Sequence, residues 1–151
     1  MKLLALLFVA GVLLLAGCIT DKPVPEELAG LAMTVYKSSS CGCCSGWTGY
    51  AQGKGFAAST VNTEDMASVK ARLGVPRGVE SCHTAVVGDY FVEGHVPAEA
   101  IAKLLEEQPD IRGIALPDMP SGSPGMPGGK TEAWVIYAVH NDGSITEFMT
   151  I

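Results

Sequence analysis

The chain has 151 residues, of which 48% are hydrophobic and 17% are charged, a balance that fits one globular domain and excludes a disordered chain. Its formal net charge is −6, which disfavours nucleic acid as a partner and suits the binding of cations. We therefore expect a single folded domain with no nucleic-acid partner.

Residues 1–17 predict a lipoprotein signal peptide. A basic start is followed by an apolar run, shorter than the roughly 20 residues of a membrane span, and by small residues. Residues 15–18, Leu-Ala-Gly-Cys, resemble a lipobox, which implies that Cys18 is acylated and becomes the first mature residue. This interpretation is favoured over an uncleaved membrane helix. It places the protein outside the cytoplasm, lipid-anchored on the periplasmic or cell-surface side, and leaves Cys18 without a metal or redox role.

The first half of the remaining chain alternates strands and helices. Residues 18–30 contain two prolines and are expected to tether Cys18 to a domain over residues 31–151. Strand formers predict strands over residues 32–37 and 56–61, with a short helix over residues 44–53 between them. A second helix is expected to be capped by Thr63 and to end at Gly74.

The second half predicts two hairpins and one helix. The first hairpin turns at residues 88–89 and the second at residues 141–143. Residues 97–108 start with proline and predict a helix, whereas residues 109–129 are too rich in glycine and proline to be regular. This order is typical of a thioredoxin-like α/β fold, with a mixed central sheet, flanking helices and a C-terminal β-hairpin.

Three cysteines, Cys41, Cys43 and Cys44, follow the first predicted strand. Cys41 and Cys44 have the C-x-x-C spacing at a helix start, where the helix dipole favours thiolate. A third thiol between them can scramble a disulfide, whereas Cu(I) prefers several sulfur ligands. Structural disulfides are a further alternative, although three cysteines within four residues cannot all join distant segments.

Other candidate ligands follow later in the chain. Cys82, before the third predicted strand, would supply a fourth sulfur facing the cluster. His83 and His95 are candidate nitrogen ligands, although a lone histidine at a strand start is more often a structural hydrogen-bonding residue, and His95 before a helix start can serve as a cap. Met119 and Met126 lie in the irregular segment and can offer thioethers to copper, or be buried there without metal.

Four motifs in order, "CGCCSGW", "CHTAVV", "EGHVP" and "LPDMPSGSPGM", resemble the small periplasmic CopG-like copper-resistance proteins, a metal-binding family of unknown function. The resemblance extends from Met33 to the C-terminus. It implies a thioredoxin-like fold, periplasmic or lipoprotein placement, and copper binding by the cysteine cluster together with Cys82. Asp118 stands where the family often has glycine.

The leading hypothesis is an extracytoplasmic copper protein that holds Cu(I) through four thiolates, with a multinuclear thiolate cluster as one arrangement. It would serve copper tolerance by sequestration, redox handling or transfer to a copper exporter or another copper-handling protein. The alternative is a thiol-disulfide oxidoreductase, in which Cys41 attacks and Cys44 resolves.

Overall fold

The computed structural model describes residues 25–151. The predicted signal peptide, Cys18 and most of the predicted tether lie outside these residues. A short 3-10 helix, Glu26–Leu28, precedes the first strand, and Leu28 packs against the core. Among the described residues, no helix has the length and apolar character needed to cross a membrane.

A single mixed sheet of seven strands forms the centre of the domain, in the order β2-β1-β3-β4-β5-β6-β7. Neighbouring strands are parallel between β1 and β2 and between β4 and β5, and antiparallel elsewhere. The strands are β1 (Ala32–Lys37), β2 (Ala57–Asn62), β3 (Thr84–Val87), β4 (Tyr90–Gly94), β5 (Ile111–Leu116), β6 (Val135–His140) and β7 (Ile145–Thr150). The mixed α/β class predicted from the sequence is confirmed.

Three helices, α1 (Gly42–Gly53), α2 (Met66–Leu73) and α3 (Ala98–Glu107), flank the sheet. Successive strand residues point to opposite faces, so Val92 belongs to the larger apolar cluster and Phe91 to the smaller one. The larger cluster contains residues of α1 and α3, and the smaller cluster is contacted by Leu73 of α2. The apolar side chains therefore form two layers, one on each side of the sheet.

One predicted irregular segment is in part regular, because β5 occupies residues that we expected to be loop. Gly113 lies opposite Phe91, and a Cβ at this position would sit 2.6 Å from the Phe91 ring. The glycine that weakens the strand pattern in the sequence is the residue that lets the Phe91 ring pack there. The expectation of a loop over residues 111–116 was wrong.

Two predicted helix starts also differ from the structure. Helix α1 begins at Gly42 and not at residue 44, and Cys41 is its N-cap. Helix α2 is capped by Asp65, whose carboxylate accepts a hydrogen bond from the Ser68 N–H at 3.0 Å. Thr63, the predicted cap, instead accepts one from the Asp65 N–H. Both Asp and Thr favour N-cap positions, so sequence pattern alone does not separate them.

Candidate metal centre

The cysteine cluster occupies the first turn of α1, directly after the turn that leaves β1. The Cys41 sulfur accepts the Cys44 N–H at 3.3 Å, as an N-cap side chain does. The Glu64 carboxylate stabilises the preceding turn by accepting hydrogen bonds from the hydroxyls of Ser38 and Ser39. These bonds, those from Ser39 first, lower the pKa of the Glu64 carboxyl. The loop between β1 and α1 thus places three cysteine side chains on the first turn of α1.

Four cysteine sulfurs meet at this point. Cys41 and Cys44 are joined by a disulfide, and Cys43 and Cys82 are free thiols. The Cys43 sulfur lies 3.6 Å from that of Cys41 and 4.0 Å from that of Cys82. All four sulfurs lie within 4.8 Å of one another. The segment before β3 therefore brings Cys82 to the cluster, as the sequence predicts, whereas the disulfide is a feature that the four-thiolate hypothesis does not contain.

Cys82 also meets two histidines. His95 Nε2 lies 3.1 Å from the Cys82 sulfur and His83 Nδ1 lies 3.4 Å from it. Cys82, His83 and His95 form a second group whose ligand atoms lie within 4.8 Å of one another. Burial first, and neighbouring Cys43 second, raise the pKa of the Cys82 thiol to about 12. Without metal, this thiol is protonated at neutral pH.

His95 has a defined tautomer. Its Nδ1 lies 2.6 Å from the carbonyl oxygen of Pro124, which can only accept a hydrogen bond, so the proton is on Nδ1. Nε2 then directs its lone pair at Cys82. A histidine held in this way by a backbone carbonyl is oriented as metal-bound histidines commonly are. Burial lowers the pKa of His95, which keeps the ring neutral.

His83 is completely buried, between the rings of Trp47 and His95 at centroid distances of 4.7 and 5.0 Å. Burial first, and the charge interaction with His95 second, lower the pKa of His83 to about 3. Its Nε2 has no hydrogen-bond partner among the described residues. Its Nδ1 faces Cys82, so this ring adds a second neutral nitrogen to the group.

The glycine- and proline-rich segment over residues 117–129 folds back over α1. Gly125 contacts the α1 backbone so closely that a Cβ on Gly125 would lie 2.5 Å from the backbone nitrogen of Trp47. Met126 is half-buried beside it, whereas Met119 is 40% exposed. Asp118 and Met119 have φ values of 65° and 47°, the left-handed conformation that glycine adopts most readily. A ligand role for either methionine stays a prediction.

Glu93, on β4 two residues before His95, is not among the site residues predicted from the sequence. Its side chain is fully buried and forms an ion pair with Lys70 of α2. A glutamate inside the otherwise apolar strand sequence "YFVEG" is the signal that could have drawn attention to it.

Known proteins similar to this chain include one family and two solved structures. A family described as "Protein of unknown function, DUF411" matches residues 79–126, which include Cys82, His83 and His95. Two solved structures, "Copper resistance protein copG- Form 1" and "Form 2", are each 41% identical, with TM-scores of 0.75 and 0.76. Each similarity covers 81% of this chain and 98% of the solved chain. No curated protein matches the chain.

Proposed function

Because the chain belongs to the CopG family of copper resistance proteins, we propose that it is a copper-binding protein that takes Cu(I) as its cargo. The proposed ligands are four cysteine thiolates: Cys41, Cys43, Cys44 and Cys82. The observation that carries the proposal is the convergence of these four sulfurs within 4.8 Å of one another. Thiolate sulfur is a soft ligand, and Cu(I) prefers it to harder oxygen ligands.

Cu(I) loading by all four thiolates requires the reduced protein. An external dithiol that exchanges with the Cys41–Cys44 disulfide supplies two electrons and two protons and leaves as its own disulfide. The two cysteine thiols that result lose their protons when metal binds. In the oxidised protein only Cys43 and Cys82 remain as free thiols among the described residues. The disulfide therefore makes the number of sulfur ligands depend on redox state, which links copper sequestration to redox handling.

Cys82 belongs to both groups of ligand atoms. Copper held by the cysteine group and copper held with His83 and His95 would share Cys82 as a ligand residue, so a multinuclear cluster is the proposed arrangement. Met126 follows the glycine that contacts α1 and is the better placed of the two methionines to contribute a thioether.

We extend the proposal to the fold and the location. β1, α1 and β2 form a parallel unit, the β3–β4 hairpin and α3 follow, and β1 lies between β2 and β3. This arrangement supports a thioredoxin-like domain that β5, β6 and β7 extend. The sequence of residues 1–18 supports a lipid anchor outside the cytoplasm, where a copper exporter or another copper-handling protein is the expected recipient of the metal.

A thiol-disulfide oxidoreductase is the second candidate, and the Cys41–Cys44 disulfide at the start of α1 favours it. In that function a partner thiolate or disulfide would exchange with the pair, and Cys43 and Cys82 would be dispensable.

Serine variants of Cys43 and Cys82 separate the two functions. We expect the Cys43→Ser and Cys82→Ser variants to fold and to bind less copper per reduced chain. Their affinity for copper should fall by more than about tenfold, because the loss of a residue that only orients the ligands already lowers metal affinity by about 10- to 100-fold. Anaerobic metal analysis and insulin reduction are measured on each variant, with Ser45→Ala, an exposed site on α1, as the control.

Full copper loading by both serine variants, with insulin reduction that depends only on Cys41 and Cys44, would establish the oxidoreductase instead.

A further inference from the structure

We propose that Glu93 is a positioning residue of the candidate metal centre and that it holds Cys82 in place relative to His95. Glu93 belongs to neither group of ligand atoms. The inference rests on the proposed function, since the placement of these ligands matters for copper only if the centre binds it.

Both carboxylate oxygens of Glu93 bind the segment that carries Cys82 and His83. Oε1 accepts the Ser81 backbone N–H at 2.5 Å, and Oε2 accepts the Thr84 hydroxyl at 2.5 Å. Ser81 precedes this pair of candidate ligands and Thr84 follows it. One side chain therefore restrains both ends of the segment.

The same residue belongs to the strand that leads to His95. Glu93 pairs with Thr84 across β3 and β4, and the next residue, Gly94, donates its N–H to the His83 carbonyl at 2.9 Å. A Cβ at Gly94 would lie 2.4 Å from the Leu116 carbonyl oxygen, so the backbone is tightly packed at this point. The Glu93 bonds thus link the two segments whose ligand atoms meet at 3.1 Å, between Cys82 and His95.

Lys70 offsets part of the cost of burying Glu93, although burial still raises the pKa of its carboxyl group. Its ammonium group donates to Glu93 Oε1 at 2.5 Å and to the Thr84 hydroxyl at 3.1 Å. A buried ion pair commonly adds little net stability relative to apolar residues of similar size, because both charges lose their hydration. Apolar residues in place of Glu93 and Lys70 could not accept the hydrogen bonds from the Ser81 N–H and the Thr84 hydroxyl.

The test is Glu93→Gln in the full-length chain in detergent. Glutamine keeps the shape but replaces one acceptor oxygen with an amide donor. It therefore cannot accept both the bonds from Ser81 and Lys70 and the bond from the Thr84 hydroxyl, and it removes the charge that pairs with Lys70. Glu107→Gln is the matched control, because it removes the same charge from an exposed pair with Lys103. Thr84→Val, which removes only the hydroxyl, is a second and milder variant.

Three properties are measured on each protein: circular dichroism for the fold, imidazole ¹⁵N resonances of the reduced metal-free state, and Cu(I) affinity by chelator competition. We expect Glu93→Gln to fold, to shift the His95 resonances and to weaken Cu(I) binding by about 10- to 100-fold, the effect of losing a residue that orients ligands. Thr84→Val should change both properties in the same direction but less, and Glu107→Gln should match the wild type.

A folded Glu93→Gln protein with wild-type His95 resonances and wild-type Cu(I) affinity would overturn the proposal. If Glu93→Gln does not fold, Thr84→Val decides: shifted resonances support the proposal, and unchanged resonances overturn it. If the wild-type chain takes up no Cu(I), the proposed function fails, and the resonances of the metal-free protein alone decide the role of Glu93.

Discussion

Cys82 is the side chain on which the two groups of candidate ligands meet. Its sulfur lies 4.0 Å from that of Cys43 on one side and 3.1 Å from His95 Nε2 on the other. Because its thiol is protonated in the metal-free protein, a bound metal ion has to displace that proton. Substitution of Cys82 should remove a ligand atom from both groups, whereas substitution of Cys43 should remove one only from the group of four cysteines.

His95 offers a direct test of the mixed sulfur–nitrogen group. We expect His95→Ala to remove a nitrogen scatterer from the X-ray absorption spectrum of the copper-loaded protein and to weaken copper binding by at least about tenfold. His140→Ala is the matched control, since His140 bonds to Thr146 and belongs to neither ligand group. Equal spectra for the two variants would show that His95 is not a ligand.

At the scale of elements, the centre is assembled by three parts of the chain: the first turn of α1, the entry to β3, and the end of β4. The segment over residues 117–129 contacts two of these parts, since the Pro124 carbonyl binds His95, directly after β4, and Gly125 contacts α1. Such close backbone contact is available only to glycine, because Gly125 has a φ of 80° and no room for a Cβ.

Gly125→Ala should therefore destabilise the protein by at least about 1 kcal/mol, since the left-handed conformation alone costs other residues about 1–2 kcal/mol. Gly129→Ala is the control in the same segment, because a Cβ there meets nothing within 4 Å, and its effect should stay within about 0.5 kcal/mol. Urea unfolding of both variants measures the difference. Equal stabilities would contradict the close contact between this segment and α1.

The strands and helices with strong local patterns were the predictable ones. The sequence predicts β1 with the residues that the structure shows, and both hairpin turns, because strand formers are bounded there by turn residues. It does not predict β5, since Gly113 is explained only by the Phe91 ring on the neighbouring strand. The information that defines β5 is a contact between strands and not a local pattern.

The same distinction applies to the centre. Cys41, Cys43 and Cys44 are neighbours in sequence, so their meeting is predictable from spacing alone. Cys82 was placed beside them through the expected order of strands. Glu93 could not be assigned a role in this way, because its partners come from α2, the entry to β3 and β3 itself.

At the scale of the whole molecule, the membrane anchor and the centre are predicted to be independent. We expect Cys18→Ala to release the chain from membranes and to leave Cu(I) affinity unchanged, because the proposed lipid anchor would be joined to the folded domain only by the predicted tether. Membrane fractionation measures the release, and chelator competition measures the Cu(I) affinity. The control is Cys43→Ser, which should stay in the membrane fraction but lose copper. Loss of copper by Cys18→Ala would contradict the assignment of Cys18.

If the four sulfurs form a Cu(I) centre, the reduced protein prefers Cu(I) to other metal ions, and a competition between metals measures this preference. Cu(I) and Zn(II) compete for the reduced protein under anaerobic conditions in the presence of a Cu(I) chelator. X-ray absorption spectroscopy then identifies the ligand atoms of the bound metal. We expect the protein to retain Cu(I) with mainly sulfur neighbours and to lose Zn(II), because soft thiolates match the softer ion. If the protein yields copper to a weak chelator but keeps zinc, the four sulfurs are not a Cu(I) centre.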